Sequence, residues 1–227
     1  MTYVMSCLNG CYSDFLKMLK IISFGKKDVL FLLGDVSDTG EEPMELLCDL
    51  SFRENVWPVC GDRDAAASKM LSGFERMLKS GETPDKKFIA EMNEWAAGGG
   101  RVALDAFRTL DEDMKEGVLD YLADFAPYDT VHVGDTDYLL VHSGIAGYRE
   151  GRDLDDYPEE AFRTDGEKTA LSFPGMTVVC GGRPIGESFT PESKIRRSEG
   201  LIELDCGAGH GGRLGCLRLD DGAEFYV

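Results

Sequence analysis

Val29-Leu30-Phe31-Leu32-Leu33-Gly34-Asp35-Val36-Ser37-Asp38 is the stretch on which the fold turns. Its apolar residues run without a break and stop at a Gly-Asp pair. An unbroken run of that length fits a strand covered on both faces, because a strand with one wet face would alternate. The same pattern recurs on either side. Tyr3-Val4-Met5 ends in the loop from Ser6 to Cys11, and Val56 to Cys60 ends at Gly61-Asp62. Helical spacing fills the gaps. Ser13 precedes Phe15, Leu16, Met18, Leu19 and Ile22 and is expected to cap their helix. Pro43 stands where a second helix begins, with Leu46, Leu47 and Leu50 on its core face. This β-α-β-α-β order implies a mainly parallel sheet. Open α/β sheets bind ligands beyond the C-terminal ends of their strands. Cys7 to Asn9, Asp35 to Asp38 and Asp62 to Asp64 fall there and are site residues on that ground alone.

Further along, residues 65–126 read as helical. Ala65, Met70, Leu71, Phe74 and Met77 recur at helical spacing, as do Phe88, Met92 and Trp95, and then Met114, Val118, Tyr121 and Leu122. Gly98-Gly99-Gly100 interrupts them. The block reads as a helical insertion or cap within one domain spanning 1–227. Thr130 to Val133 and Tyr138 to His142 flank Gly134-Asp135 as a hairpin, which makes Asp135 and Asp137 structural. Val178 to Cys180, Leu201 to Leu204, Leu214 to Leu219 and Glu224 to Val227 are further strands, and the acidic stretch around 150–167 is a solvated loop. Cys60, Cys180 and Trp95 read as core, and His132 as exposed.

Composition narrows the function. With 43% apolar residues in 227, the chain has ample material for a core and is not disordered. Lys plus Arg is 24 against 42 Asp plus Glu, a net charge of −18. Such a surface repels phosphate backbones and anionic lipid, which argues against nucleic-acid and membrane partners. No apolar run approaches the roughly 20 residues of a membrane span. Met1 to Met5 carries no secretory signal, and the seven cysteines are scattered without a CxxC. Both features fit reduced thiols in a cytoplasm.

Five segments share an order with one family. They are Tyr3-Val4-Met5-Ser6-Cys7-Leu8-Asn9-Gly10, Leu33-Gly34-Asp35-Val36-Ser37-Asp38-Thr39-Gly40, Gly61-Asp62-Arg63-Asp64, Leu140-Val141-His142-Ser143-Gly144 and Gly181-Gly182-Arg183-Pro184. Together with the tail from Asp205 to Leu214, they resemble the calcineurin-like metallophosphoesterases, in the branch of bacterial serine/threonine phosphatases and diadenosine tetraphosphatases. The resemblance implies an α/β fold, an α+β sandwich of mixed sheets flanked by helices. It also implies two divalent cations bridged by a carboxylate, which activate a water toward phosphorus. A histidine beside the metals helps the leaving oxygen depart, and an arginine grips the phosphate.

Position by position, the chain departs from that pattern. The first motif's Asp and His are Cys7 and Asn9. The second keeps the bridging Asp35 and also Asp38, while its arginine is Thr39. The third motif's Asn and catalytic His are Asp62 and Arg63. His142 is kept, but the fifth motif's His and Thr are Gly182 and Arg183. What remains for metal is Asp35, Asp62, His142 and Cys7, enough for one divalent ion (Mn, Zn or Fe) or none. Cys7 reads either as a soft ligand or as a small buried thiol. His142 reads as a ligand or a structural strand-end histidine, and His210 as part of the site rim or of a surface loop. Arg63 and Arg183 either bind phosphate or pair with Asp35, Asp38 or Asp62 in place of metal charge. These losses point to a serine/threonine phosphatase-like homologue impaired in two-metal hydrolysis, a pseudophosphatase that binds or regulates. The alternative is an active phosphomonoester or dinucleoside polyphosphate hydrolase using one metal or an atypical metal site. A scaffold without a ligand is the third reading. The partner is a phosphorylated small molecule or a phosphoprotein.

Overall fold

In the computed structural model the run Val29–Leu33 is a strand whose side chains divide between two cores. Leu30 and Leu32 pack with Phe15, Met18, Leu46 and Leu47 from helices. Phe31 and Leu33 pack with Leu140, Val179 and Ile202 from a second sheet. Alternate residues of a strand face opposite ways, so a strand covered on both sides must be apolar throughout. The structure describes residues 1–37, 39–81, 83–164, 169–170, 172–182, 185 and 189–227. Asp38 and Arg183 therefore lie outside the described residues.

The chain begins β1 (Thr2–Met5), α1 (Tyr12–Ile21), β2 (Val29–Leu33), α2 (Pro43–Ser51) and β3 (Val56–Val59). Four helices follow: α3 (Asp62–Ser80), α4 (Lys86–Trp95), α5 (Arg101–Phe107) and α6 (Glu112–Ala123). Then come β4 (Tyr128–Val133), β5 (Thr136–Val141), β6 (Ile145–Ala146), the short α7 (Glu160–Arg163) and β7 (Thr169–Ala170). The remainder is β8 (Thr177–Cys180), β9 (Arg196–Ser198), β10 (Leu201–Glu203), β11 (Gly215–Arg218) and β12 (Glu224–Tyr226). One sheet has the order β12-β11-β1-β2-β3 and the other β4-β5-β8-β10-β9. Strands β1, β2 and β3 are parallel, as are β5, β8 and β10, while the outer strands β11, β12, β4 and β9 pair antiparallel. The result is the expected sandwich of two mixed sheets flanked by helices. Its parallel centres send the ends of β1, β2, β3, β5 and β8 toward one edge.

Two local expectations are corrected. Helix α1 starts at Tyr12, and Ser13 does not cap it. The Ser13 amide is instead satisfied by the Glu42 carboxylate just before α2, at 3.0 Å. The helical stretch after β3 begins at Asp62 rather than 65, which places Asp62 and Arg63 in the first turn of α3.

A buried ionic contact joins α3 to α6. Glu75, 5% exposed, lies 3.3 Å from Lys79 and 4.0 Å from Lys115, itself 9% exposed. Glu112 also holds Lys115, at 3.0 Å. Removing one partner of a buried pair strands the other charge. Glu75→Ala is expected to cost about 2 kcal/mol, below the usual loss for such a break because Glu112 remains. The midpoint of urea denaturation checks it.

Candidate active site

The loops after β1 and β2 continue the parallel pairing past the strands. Cys7 donates its amide to Gly34 O at 3.0 Å, Asn9 to Asp35 O at 2.8 Å and Gly10 to Val36 O at 2.9 Å. This ladder bends the backbone hard. Cys7, Asn9 and Asp35 have φ of 49°, 47° and 51°. Left-handed backbone in a residue with a Cβ costs roughly 1–2 kcal/mol and concentrates where structure serves a ligand. Three such residues stand together here.

Asp35 from the end of β2, Asp62 from the start of α3 and His142 from the end of β5 converge, with one ligand-type atom from each within 4.8 Å of the others. His142 Nε2 is 3.3 Å from Asp62 Oδ1 and 3.6 Å from Asp35 Oδ1. Its Nδ1 is 2.8 Å from Leu33 O. A carbonyl only accepts, so Nδ1 carries the proton in that contact and Nε2 faces the carboxylates. The ring is held between glycines. A Cβ on Gly34 would lie 2.4 Å from Nδ1, and one on Gly182 would lie 2.2 Å from Nε2.

The electrostatics follow from this crowding. Burial pushes the Asp35 carboxyl up to about 7 against the pull of the His142 charge. Asp62, exposed at its outer edge, is held below the usual carboxylate range by its hydrogen bond from His142. Burial favours a neutral His142, but the Asp62 hydrogen bond and the Asp35 charge outweigh it and raise the imidazole to about 9.

Asp64 sets this geometry, and the sequence did not single it out for that role. Its Oδ1 accepts from the amides of Val36 at 2.9 Å and Ser37 at 3.3 Å, and its Oδ2 from the Gly61 amide at 3.0 Å. One buried carboxylate thus ties the loop carrying Asp35 to the helix carrying Asp62. An acid at the third position of a helix opening at Gly61 is the signal for such a capping role.

The other sequence-derived residues divide. Arg63 lies at the mouth, with Nε 3.9 Å from Asp35 Oδ2 and Nη1 donating to Gly98 O at 3.3 Å. Cys7 is not among the converging donors. Its sulfur donates to Gly181 O at 3.3 Å, and burial raises its thiol well above the usual range. Asn9 spends its amide on Cys7 O at 3.0 Å and Ala208 O at 3.1 Å. Thr39 faces Gly99. His210 is exposed and stacks on Phe189, with ring centroids 6.4 Å apart.

These donors suit one divalent cation. Two carboxylates and an imidazole with a fixed tautomer are a set that Mn, Fe or Zn accepts. Beside them, Cys7 turns its thiol to Gly181 O, Asn9 commits its amide to carbonyls, and Gly182 has no side chain. Among the described residues no other group of three meets the same distance condition.

The fold and this edge define a phosphoesterase sandwich with a metal-type donor set. The sequence model of the calcineurin-like phosphoesterases matches residues 2–193, and the chain belongs to that family. A symmetrical bis(5'-nucleosyl)-tetraphosphatase of Chromobacterium violaceum is 24% identical over 268 residues, covering 99% of this chain and 94% of the relative. Another from Methylobacillus flagellatus is 30% identical over 102 residues, 41% of this chain and 36% of the relative. Among solved structures, one provisionally assigned as a diadenosine tetraphosphatase superposes with a TM-score of 0.66 at 16% identity, covering 100% of this chain and 92% of its own. A protein serine/threonine phosphatase from Saccharomyces cerevisiae gives 0.55 at 11%, covering 100% and 78%. At such identities the structural likeness is one of fold. No helix among the described residues is long and apolar enough to cross a membrane.

Proposed function

We propose that the chain is a phosphoesterase working with one divalent cation held by Asp35, Asp62 and His142, and that it cleaves phosphoanhydrides of the dinucleoside polyphosphate class. The convergence of those three side chains carries the reading. The tetraphosphatase names of its relatives support hydrolysis over the loss of activity expected from the motif changes. When bound, the cation would supply Lewis acidity toward a phosphoryl oxygen and a more acidic water. His142 presents Nε2 because Leu33 O holds the other nitrogen. Arg63, at the first turn of α3, offers a guanidinium to a phosphate oxygen, a contact the helix N-terminus reinforces.

Arg63 also selects the leaving group. A guanidinium stays protonated and donates hydrogen bonds without giving up a proton. A serine alkoxide needs a proton to leave, whereas a nucleoside diphosphate leaves as a stable anion. Incubation with diadenosine tetraphosphate and Mn²⁺ is therefore expected to release two nucleoside diphosphates per turnover. A phosphoserine peptide should be cleaved at least about 100-fold more slowly, a gap in the range one proton transfer contributes. Chromatography of the products reads both. No hydrolysis with Mn²⁺, Zn²⁺ or Fe²⁺ would overturn the proposal.

One observation favours a second reading, a binding module without a metal. His142, raised to about 9, and Arg63 set two positive groups against Asp35 and Asp62. Phosphate binding unchanged by EDTA would support it.

A further inference from the structure

The helices between β3 and β4 meet the site through a kink. Helix α4 passes into α5 through a kink over Ala96–Gly100, where Gly99 leaves helical geometry at φ 122°. Three contacts seat it. A Cβ on Gly100 would lie 2.1 Å from the Trp95 indole, so the ring covers that glycine closely. A Cβ on Gly99 would lie 2.6 Å from Thr39 Cγ2, on the loop that follows Asp35. Gly98, exposed beside them, takes a hydrogen bond from Arg63 Nη1 at 3.3 Å.

We propose that this kinked turn is a positioning element for phosphate binding: through the Gly98 carbonyl it sets the Arg63 guanidinium beside Asp35 and so fixes the affinity for a phosphate oxygen. The proposal rests on the phosphoesterase reading above. Arg63 is a long side chain, more than a third exposed, with Nε 3.9 Å from Asp35. Exposed ion pairs order long side chains poorly, because fixing their rotamers opposes the attraction. The hydrogen bond from Nη1 to Gly98 O adds a direction to the planar fork. The anchor is a neutral carbonyl, so it orients the cation without cancelling its charge. Preorganising a binding group in this way raises affinity by removing an ordering cost. Gly99 serves the arrangement by admitting the kink against Thr39, where a Cβ would be both strained and obstructed.

A double-mutant cycle tests it, with binding of inorganic phosphate read by calorimetry at saturating Mn²⁺. Arg63→Ala is expected to weaken phosphate about tenfold, the worth of a charge-assisted contact. Gly99→Ala should weaken it about fivefold alone and less than about twofold when Arg63 is already alanine. Thr39→Ser removes the Cγ2 on which the turn rests and adds no atom. It keeps the cycle readable if Gly99→Ala does not fold, with an expected loss of about threefold that again requires Arg63. Gly117→Ala, in α6 with open space around it, should change nothing. Equal losses with and without Arg63, or no loss in either kink variant, would overturn this proposal alone. A wild-type protein that takes no phosphate would overturn the phosphoesterase reading, and the positioning role with it.

Discussion

Asp64→Ala is expected to lower stability by about 3–5 kcal/mol, more than Glu75→Ala. The carboxylate is 1% exposed and accepts the amides of Val36, Ser37 and Gly61, with the Ser37 hydroxyl at 3.4 Å. Alanine leaves those donors without an acceptor in a place water reaches poorly. A buried amide without a partner costs about 1–3 kcal/mol, and such costs add incompletely within one network. Burial raises the Asp64 carboxyl, and the amides it accepts work against that rise. Asp64→Asn keeps one acceptor oxygen and should cost about half as much. Asp62→Asn, at an exposed position, should stay within about 1 kcal/mol. Denaturant unfolding of the three variants gives the ranking. A loss under about 1 kcal/mol for Asp64→Ala would mean that the two loops hold their shape without it.

Asp35→Asn should weaken Mn²⁺ binding by at least about 100-fold, more than loss of a group outside the ligand shell typically does. Asp35 faces His142 Nε2 on one side and Arg63 on the other. Its φ of 51° is held by backbone pairing between the first two loops, so its position does not depend on its charge. Its Oδ1 lies close over Gly61, where an added Cβ would stand 2.4 Å away. The asparagine variant is therefore expected to keep its fold and lose the metal. Titration with Mn²⁺ followed by calorimetry measures the affinity. Equal affinity in the variant would place the cation elsewhere.

Much of the fold was legible because its elements announce themselves locally. The run Val29–Leu33 had to be buried on both faces, and it separates a helical core from an inter-sheet core. Pro43 opens α2 as its fixed φ suggests. The strand Arg196–Ser198 was missed because it is exposed and polar, as an edge strand protected from further pairing should be. Asp35, Asp62 and His142 were legible as strand-end residues, and family resemblance separated them from other polar strand ends. Three features were not legible. The direction of the Cys7 sulfur depends on Gly181, 174 residues away. The glycines around His142 matter only once the ends of β2, β5 and β8, from two different sheets, meet at one edge. The contact of Arg63 with Gly98 depends on a kink that a glycine run permits and does not specify.

The proposed site holds one cation on Asp35, Asp62 and His142. Elemental mass spectrometry after incubation with Mn²⁺ or Zn²⁺ and desalting tests it most directly, with Asp35→Asn alongside. The prediction is one ion per wild-type chain and a near-empty variant. Two ions per chain, or one ion retained by Asp35→Asn, would contradict it.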